Sequence, residues 1–212
     1  MPTVIERLSR LRLMPVVVID RAEDAVPLAQ ALKAGGLPCA EVTFRTAAAE
    51  AALREIARDP DILLGAGTVL KPDQVDRALA AGATYIVTPG FHAKVVERCR
   101  QLGVPVFPGV ATPTEIGMAL DAGVDIVKFF PAESLGGVQA LKAMAAPYSM
   151  VRFIPTGGIG LEKLPGYLAC PAVLAVGGGW MVAPEIIKAG NFTEISRRAR
   201  EAVAAVTGVI DV

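Results

Sequence analysis

Asp125-Ile126-Val127-Lys128-Phe129-Phe130-Pro131 is the stretch whose reading decides the fold. Between Asp125 and Pro131 it is apolar on both faces apart from one lysine, and it is too short for a helix. A run of this kind, without polar alternation, reads as a parallel strand covered on both sides. Just upstream, Ala122-Gly123 has the form of a helix end, with glycine past the last turn. Further upstream, Thr112-Pro113-Thr114-Glu115 combines a capping box with proline at the first helical position, so a helix begins there. Together these pieces make one helix-then-strand unit.

The same unit recurs along the chain. Apolar runs rich in Val and Ile stand at Pro15–Ile19, Cys39–Thr43, Ile62–Ala66, Tyr85–Thr88, Val104–Phe107, Ile126–Phe129, Val151–Ile154 and Val173–Val176. Their spacing leaves room for one helix and two short loops each. Ala47–Arg58 carries Ala49, Leu53, Ile56 and Ala57 on one side, as an amphipathic helix does. Asn191 with Glu194 starts a last helix bearing Ile195, Ala199, Ala202, Val203 and Val206 at helical spacing. Gly35, Gly82, Gly103 and Gly123 are expected to be the residues that end helices. Eight such units predict an α/β chain folded as one (β/α)8 (TIM) barrel domain over residues 1–212. The rival is an open doubly wound sheet. Gly65-Ala66-Gly67-Thr68 begins like a dinucleotide fingerprint but does not complete it.

Composition narrows the function. The 212 residues are 53% hydrophobic and 20% charged, which suits a folded chain with a large core. Lys+Arg and Asp+Glu are 21 each, so no basic field is available for nucleic acid or anionic lipid, and neither is expected as a partner. No signal peptide or membrane span is legible before or within the repeats. Cys39, Cys99 and Cys170 are odd in number and lack CxxC spacing, which suits free thiols in a reducing, cytoplasmic setting. The single histidine, His92, is expected at the surface or capping a helix. One histidine disfavours the usual catalytic zinc sites, and no metal or cofactor is expected.

In a barrel the chemistry lies where strands end and helices begin. Polar residues and glycines gather at those junctions. Lys128 is the sharpest of them. Burial disfavours the charged form of an amine, and an uncharged amine can attack a carbonyl to form a Schiff base. The plainer alternative is a lysine whose stem packs while its head reaches water. Glu41, Thr43 and Arg45 share parity along one strand. They read as a general base with a carboxylate clamp, or as a structural ion pair at the barrel mouth. Pro155-Thr156-Gly157-Gly158 and Gly177-Gly178-Gly179 follow the last two strands, where barrels often bind phosphate through backbone N–H groups. Otherwise they are two tight turns. Cys39 and Trp180 are expected to pack.

Taken in chain order, Glu41-Val42-Thr43-Phe44-Arg45-Thr46, Gly65-Ala66-Gly67-Thr68-Val69, Pro89-Gly90, Lys128-Phe129-Phe130-Pro131-Ala132-Glu133, Pro155-Thr156-Gly157-Gly158-Ile159 and Gly177-Gly178 resemble the 2-keto-3-deoxy-6-phosphogluconate (KDPG) aldolase family, which includes 4-hydroxy-2-oxoglutarate (KHG) aldolases. The resemblance runs from about Pro15 to Val206. It implies a metal-free class I aldolase, usually a homotrimer, that reversibly cleaves KDPG to pyruvate and glyceraldehyde 3-phosphate. It implies that Lys128 forms the Schiff base and Glu41 shuttles protons. Arg45 and Thr68 would hold the pyruvate carboxylate, and Phe130 and Pro89 would wall the pyruvyl group. Thr156 would contact the aldehyde end, while Gly157, Gly158 and Gly178 would present N–H groups to the phosphate. Members of the family often carry a serine where this chain has Gly179, so that position departs from the pattern within the phosphate loop.

Three alternatives to KDPG cleavage stand beside the resemblance. The C4-epimeric galactonate-derived substrate differs only at one stereocentre. A metal-dependent sugar-phosphate decarboxylase or epimerase would be expected to show a second acid after Lys128, where Pro131 stands. A silent barrel would bind an anionic metabolite without any covalent adduct.

Overall fold

The computed structural model describes residues 2–210. Among them nine strands alternate with helices. The strands are β1 Leu13–Val17, β2 Cys39–Thr43, β3 Leu63–Gly67, β4 Tyr85–Val87, β5 Val106–Phe107, β6 Gly109–Val110, β7 Ile126–Phe129, β8 Arg152–Phe153 and β9 Val176–Gly178. The helices are α1 Val4–Leu11, α2 Ala25–Ala34, α3 Ala49–Ile56, α4 Pro72–Ala80, α5 Ala93–Gln101, α6 Pro113–Asp121, α7 Gly137–Ala145, α8 Leu164–Leu168, α9 Pro184–Lys188 and α10 Phe192–Ile210.

All strand pairings are parallel. A curled six-stranded sheet runs β5-β4-β3-β2-β1-β9, and a second sheet runs β6-β7-β8. The run expected as one strand at Val104–Phe107 is in fact two. Pro108 has no N–H to give to a ladder, so the run changes partner across it. Val106 and Phe107 pair with β4, whereas Gly109 and Val110 pair with β7. Two isolated parallel bridges, Phe153↔Val173 and Thr156↔Gly177, connect the other edges of the two sheets.

Alternation along the strands separates two cores. Leu13 and Val17 of β1 face the helices, where most of the buried apolar residues lie. Met14 faces the other way, into a smaller cluster with Cys39, Leu63, Tyr85, Phe107, Ile126, Ile154 and Leu174. These residues come from successive strands or their flanks, and they fill the space that the curled sheets enclose. Tyr85 and Phe107 meet there with ring centroids 5.7 Å apart. Cys39 packs inside as expected, and burial pushes its thiol up to about 12.

One element was not foreseen. Thr3-x-x-Glu6 forms a complete capping box at the start of α1, and Leu8 of that helix reaches the inner cluster. The Thr-x-x-Glu signal was present in the sequence but lay among charged residues. Gly35 also departs from expectation. It closes α2 with an ordinary φ of −79°, and Gly36 takes the left-handed position. Gly35 is required for packing, since a Cβ there would lie 2.5 Å from that of Ala199 on α10. At Gly82, Gly103 and Gly123 the expected positive φ is present. The Thr112 cap of α6 and the Asn191 cap before α10 also form. Helix α3 is shorter than the predicted Ala47–Arg58. No helix is long and apolar enough to cross a membrane, among the described residues.

Candidate active site

Strand β7 carries Lys128 and strand β2 carries Glu41, and the two side chains meet across the interior. Nζ of Lys128 donates to Oε1 of Glu41 at 3.3 Å. Their side chains are 7% and 0% exposed. The lysine is therefore largely withdrawn from water, and the carboxylate fully so. It also lies 5.4 Å from the ring centroid of Phe130. A buried carboxylate is costly to ionise. Burial accordingly raises the Glu41 carboxyl above its usual 4.5, against the opposing pull of Lys128. Its second oxygen, Oε2, is buried with no hydrogen-bond partner. This leaves an acceptor aimed at nothing in the protein, next to an amine.

Gly67 makes this placement possible. A Cβ at residue 67 would lie 2.0 Å from Oε1 of Glu41, so any larger residue must push the carboxylate aside. Gly67→Ala is expected to lower kcat by about 100-fold, the effect of roughly 1 Å of misplacement, while the protein still unfolds cooperatively on heating. Steady-state kinetics with circular dichroism melting would check it. Unchanged kcat would show that the position of Glu41 does not matter.

Arg45 is not part of an ion pair with Glu41. It lies beyond the end of β2, exposed, with no carboxylate within 4 Å among the described residues. Thr43, between the two, gives its hydroxyl to the Val17 carbonyl at 2.8 Å. The ion-pair alternative for this strand is thus overturned, and Glu41 pairs with Lys128 instead.

Arg45, Phe130, Thr156, Gly157, Gly158, Gly178 and Gly179 line one cleft of about 430 Å³. It opens at the C-terminal ends of the strands. Val16, Val18 and Glu185 also line it, and nothing in the sequence reading pointed to them. Val16 belongs to an uninterrupted apolar run, and Glu185 to a helix start that resembles any other. Trp180, expected as packing, is in this wall and lies over Gly178, where a Cβ would meet its ring at 1.7 Å.

Lys128, Glu41, Thr68 and Pro89 do not line this cleft; Phe130, which lines it and lies beside Lys128, joins the two. Thr68 follows β3 with a left-handed φ of 54°. That conformation costs a β-branched residue on the order of 1–2 kcal/mol, and such strain concentrates at functional sites. Pro89 sits in a turn held by the Thr88 hydroxyl, which donates to the Gly90 carbonyl at 2.6 Å. The turn presses so closely on Gly109 that a Cβ there would lie 2.2 Å from the Pro89 carbonyl oxygen.

The glycine loops leave backbone donors free. Gly157 and Gly158 both have positive φ, at 105° and 75°. The N–H groups of Gly157, Gly158 and Gly179 donate to no protein acceptor among the described residues. Unpaired N–H groups clustered at a cleft suit an anion. Thr156 is buried beside them, its hydroxyl donating to the Ile154 carbonyl at 3.3 Å. His92 is elsewhere. It occupies the cap position of α5, but its side chain makes no capping bond. Among the described residues no three His, Cys, Asp or Glu side chains cluster as metal ligands.

A family model described as KDPG and KHG aldolase matches residues 4–198. The 2-dehydro-3-deoxy-phosphogluconate aldolase of Treponema pallidum is 52% identical over 95% of this chain and 96% of its own. The KDPG aldolase of Legionella pneumophila, solved with pyruvate captured at low pH as a covalent carbinolamine intermediate, superposes with a TM-score of 0.91. It is 39% identical, covering 95% of this chain and 98% of that one. The aldolase of Zymomonas mobilis ZM4, solved with 3-phosphoglycerate, has a TM-score of 0.88 and 42% identity over 94% and 95% of the two chains.

Proposed function

The chain belongs to the KDPG and KHG aldolase family, and on that premise we propose that it cleaves KDPG reversibly to pyruvate and glyceraldehyde 3-phosphate through a Schiff base on Lys128. The observation that carries this reading is the buried Lys128–Glu41 pair, with one carboxylate oxygen left over.

The chemistry follows from that pair. An ammonium cannot attack a ketone, so Nζ must first give up a proton, and Glu41 is the base within reach. The amine adds to C2 of the keto acid to give a carbinolamine. Loss of water, with Glu41 returning the proton, leaves an iminium. A base, Glu41 directly or through water, then removes the C4 hydroxyl proton. The C3–C4 bond breaks, its electron pair moves into an enamine, and the aldehyde departs. Protonation of the enamine at C3 and addition of water release pyruvate and the free lysine. Arg45 and Thr68 hold the carboxylate, Phe130 and Pro89 wall the pyruvyl group, and Thr156 meets the aldehyde end. Gly157, Gly158, Gly178 and Gly179 receive the phosphate on backbone N–H groups, a placement supported at Gly157, Gly158 and Gly179 by donors that no protein acceptor takes.

The same reading makes the two sheets one closed (β/α)8 barrel in a single domain. The bridges Phe153↔Val173 and Thr156↔Gly177, together with the change of partner at Pro108, support closure. It also implies a homotrimer acting in the cytoplasm on a small keto acid, with no cofactor. KHG, with the same pyruvyl half and no phosphate, is a second substrate by the family description.

Pyruvate release from KDPG, read by coupled oxidation of NADH with lactate dehydrogenase, tests the assignment. Release that EDTA does not diminish is expected. A rate abolished by EDTA would move the protein to a metal-dependent mechanism. At Gly179 an ordinary φ of −95° and the nearest atom, the Val16 carbonyl oxygen at 3.6 Å, leave room for a side chain. Gly179→Ser is expected to lower KM for KDPG about tenfold through one bond to a charged group. KM for KHG should stay the same, and equal changes for both substrates would contradict a phosphate site at this loop.

A further inference from the structure

We propose that Glu133 is a positioning residue that holds the Gly157–Gly158 loop in its phosphate-binding shape, through a clamp formed with Lys163 and Tyr167. This rests on the reading of that loop as the phosphate site.

The backbone makes the first connection. The Ala132 N–H donates to the Thr156 carbonyl at 2.8 Å, and the Glu133 N–H donates to the Gly157 carbonyl at 3.1 Å. The loop is therefore laid directly along residues 132 and 133. The side chain makes the second connection. A Cβ at Gly158 would lie 2.8 Å from that of Glu133, so Glu133 forms the surface against which the loop turns. At positive φ that turn aims the Gly157 and Gly158 N–H groups away from any acceptor in the protein.

Glu133 is itself held from the far side. The hydroxyl of Tyr167, 1% exposed, donates to Oε1 at 2.5 Å. Lys163 donates to Oε2. Both residues flank or belong to α8, the helix that follows the loop. The carboxylate thus bridges the segment before the loop to the helix after it. Nothing in the cluster touches Lys128 or Glu41 by a hydrogen bond. The clamp is therefore placed to act on the distal end of the substrate and not on the imine.

The test compares two reactions of the same enzyme. Exchange of pyruvate methyl protons with deuterium uses the Lys128 enamine but has no need of the phosphate loop. Cleavage of KDPG uses both. Glu133→Ala is expected to raise KM for KDPG about fivefold, the scale of one lost charged contact. The exchange rate should change little, and the melting temperature should fall by only a few degrees, because the Tyr167 hydroxyl loses its acceptor. Glu133→Gln, which keeps the Tyr167 bond, should recover part of the loss. An unchanged KM would overturn the proposal. Parallel losses in both reactions would also overturn it, because they would show a general structural role. Failure of the phosphate reading has a separate signature: wild-type enzyme would then cleave dephosphorylated 2-keto-3-deoxygluconate as efficiently as KDPG, and the proposal would fall with it.

Discussion

Lys128→Met is expected to lose about 10⁴- to 10⁶-fold in kcat, the cost of removing a covalent nucleophile. Methionine fills the volume of the lysine stem, which is buried on β7. The remaining risk is to the fold. Deleting one partner of a buried ion pair can cost about 3–5 kcal/mol when the other charge is stranded. Glu41 has a way out of that penalty, because burial already biases its carboxyl toward the protonated form. A folded, inactive variant is therefore expected. Circular dichroism and turnover assays, run together, check it. Residual turnover within about tenfold of the wild type would mean that another group carries the reaction.

Glu41→Gln keeps the shape of the side chain and removes its base. General acid–base groups contribute about 10²- to 10⁴-fold, and a loss in that range is expected in kcat. The pH profile gives a sharper signature. Glu41 must be ionised to accept a proton, and burial raises its pKa above 4.5. Activity should therefore fall as pH drops through a value above the ordinary glutamate range. That acid limb should be missing from the residual activity of Glu41→Gln. An acid limb at or below 4.5 in the wild type, or one kept unchanged in the variant, would assign the base role elsewhere.

The repeat was legible because each unit has its own chemistry. Buried parallel strands read as unbroken Val- and Ile-rich runs, and glycines at left-handed helix ends stop helices audibly, as at Gly82, Gly103 and Gly123. Strand β7 and strand β2 match their expected limits to the residue. The misreadings have local causes. Pro108 splits a run that periodicity treats as continuous, since the missing N–H matters only once two different neighbours compete for it. Gly35 looks like a helix stop and is instead a contact with α10, a long-range fact that no local window contains.

The site divides in the same way. Lys128 stood out because a lone cation interrupts an apolar strand. The residues by themselves did not give its partner, since Glu41 is 87 positions away in sequence and strand parity set Glu41 beside Arg45; only the family resemblance joined Glu41 to Lys128. The glycines of the two loops marked the cleft, but Val16, Val18 and Glu185 belong to it only through the curl of the sheet. Gly67 stands within a sequence motif, yet its purpose is visible only when Oε1 of Glu41 is found against it.

The most direct test of the account is reduction with borohydride in the presence of pyruvate, followed by peptide mass spectrometry. A reduced pyruvyl adduct on the peptide containing Lys128, absent from Lys128→Met, is the predicted result. An unmodified Lys128 in folded protein exposed to pyruvate, or an adduct on a different lysine, would contradict it.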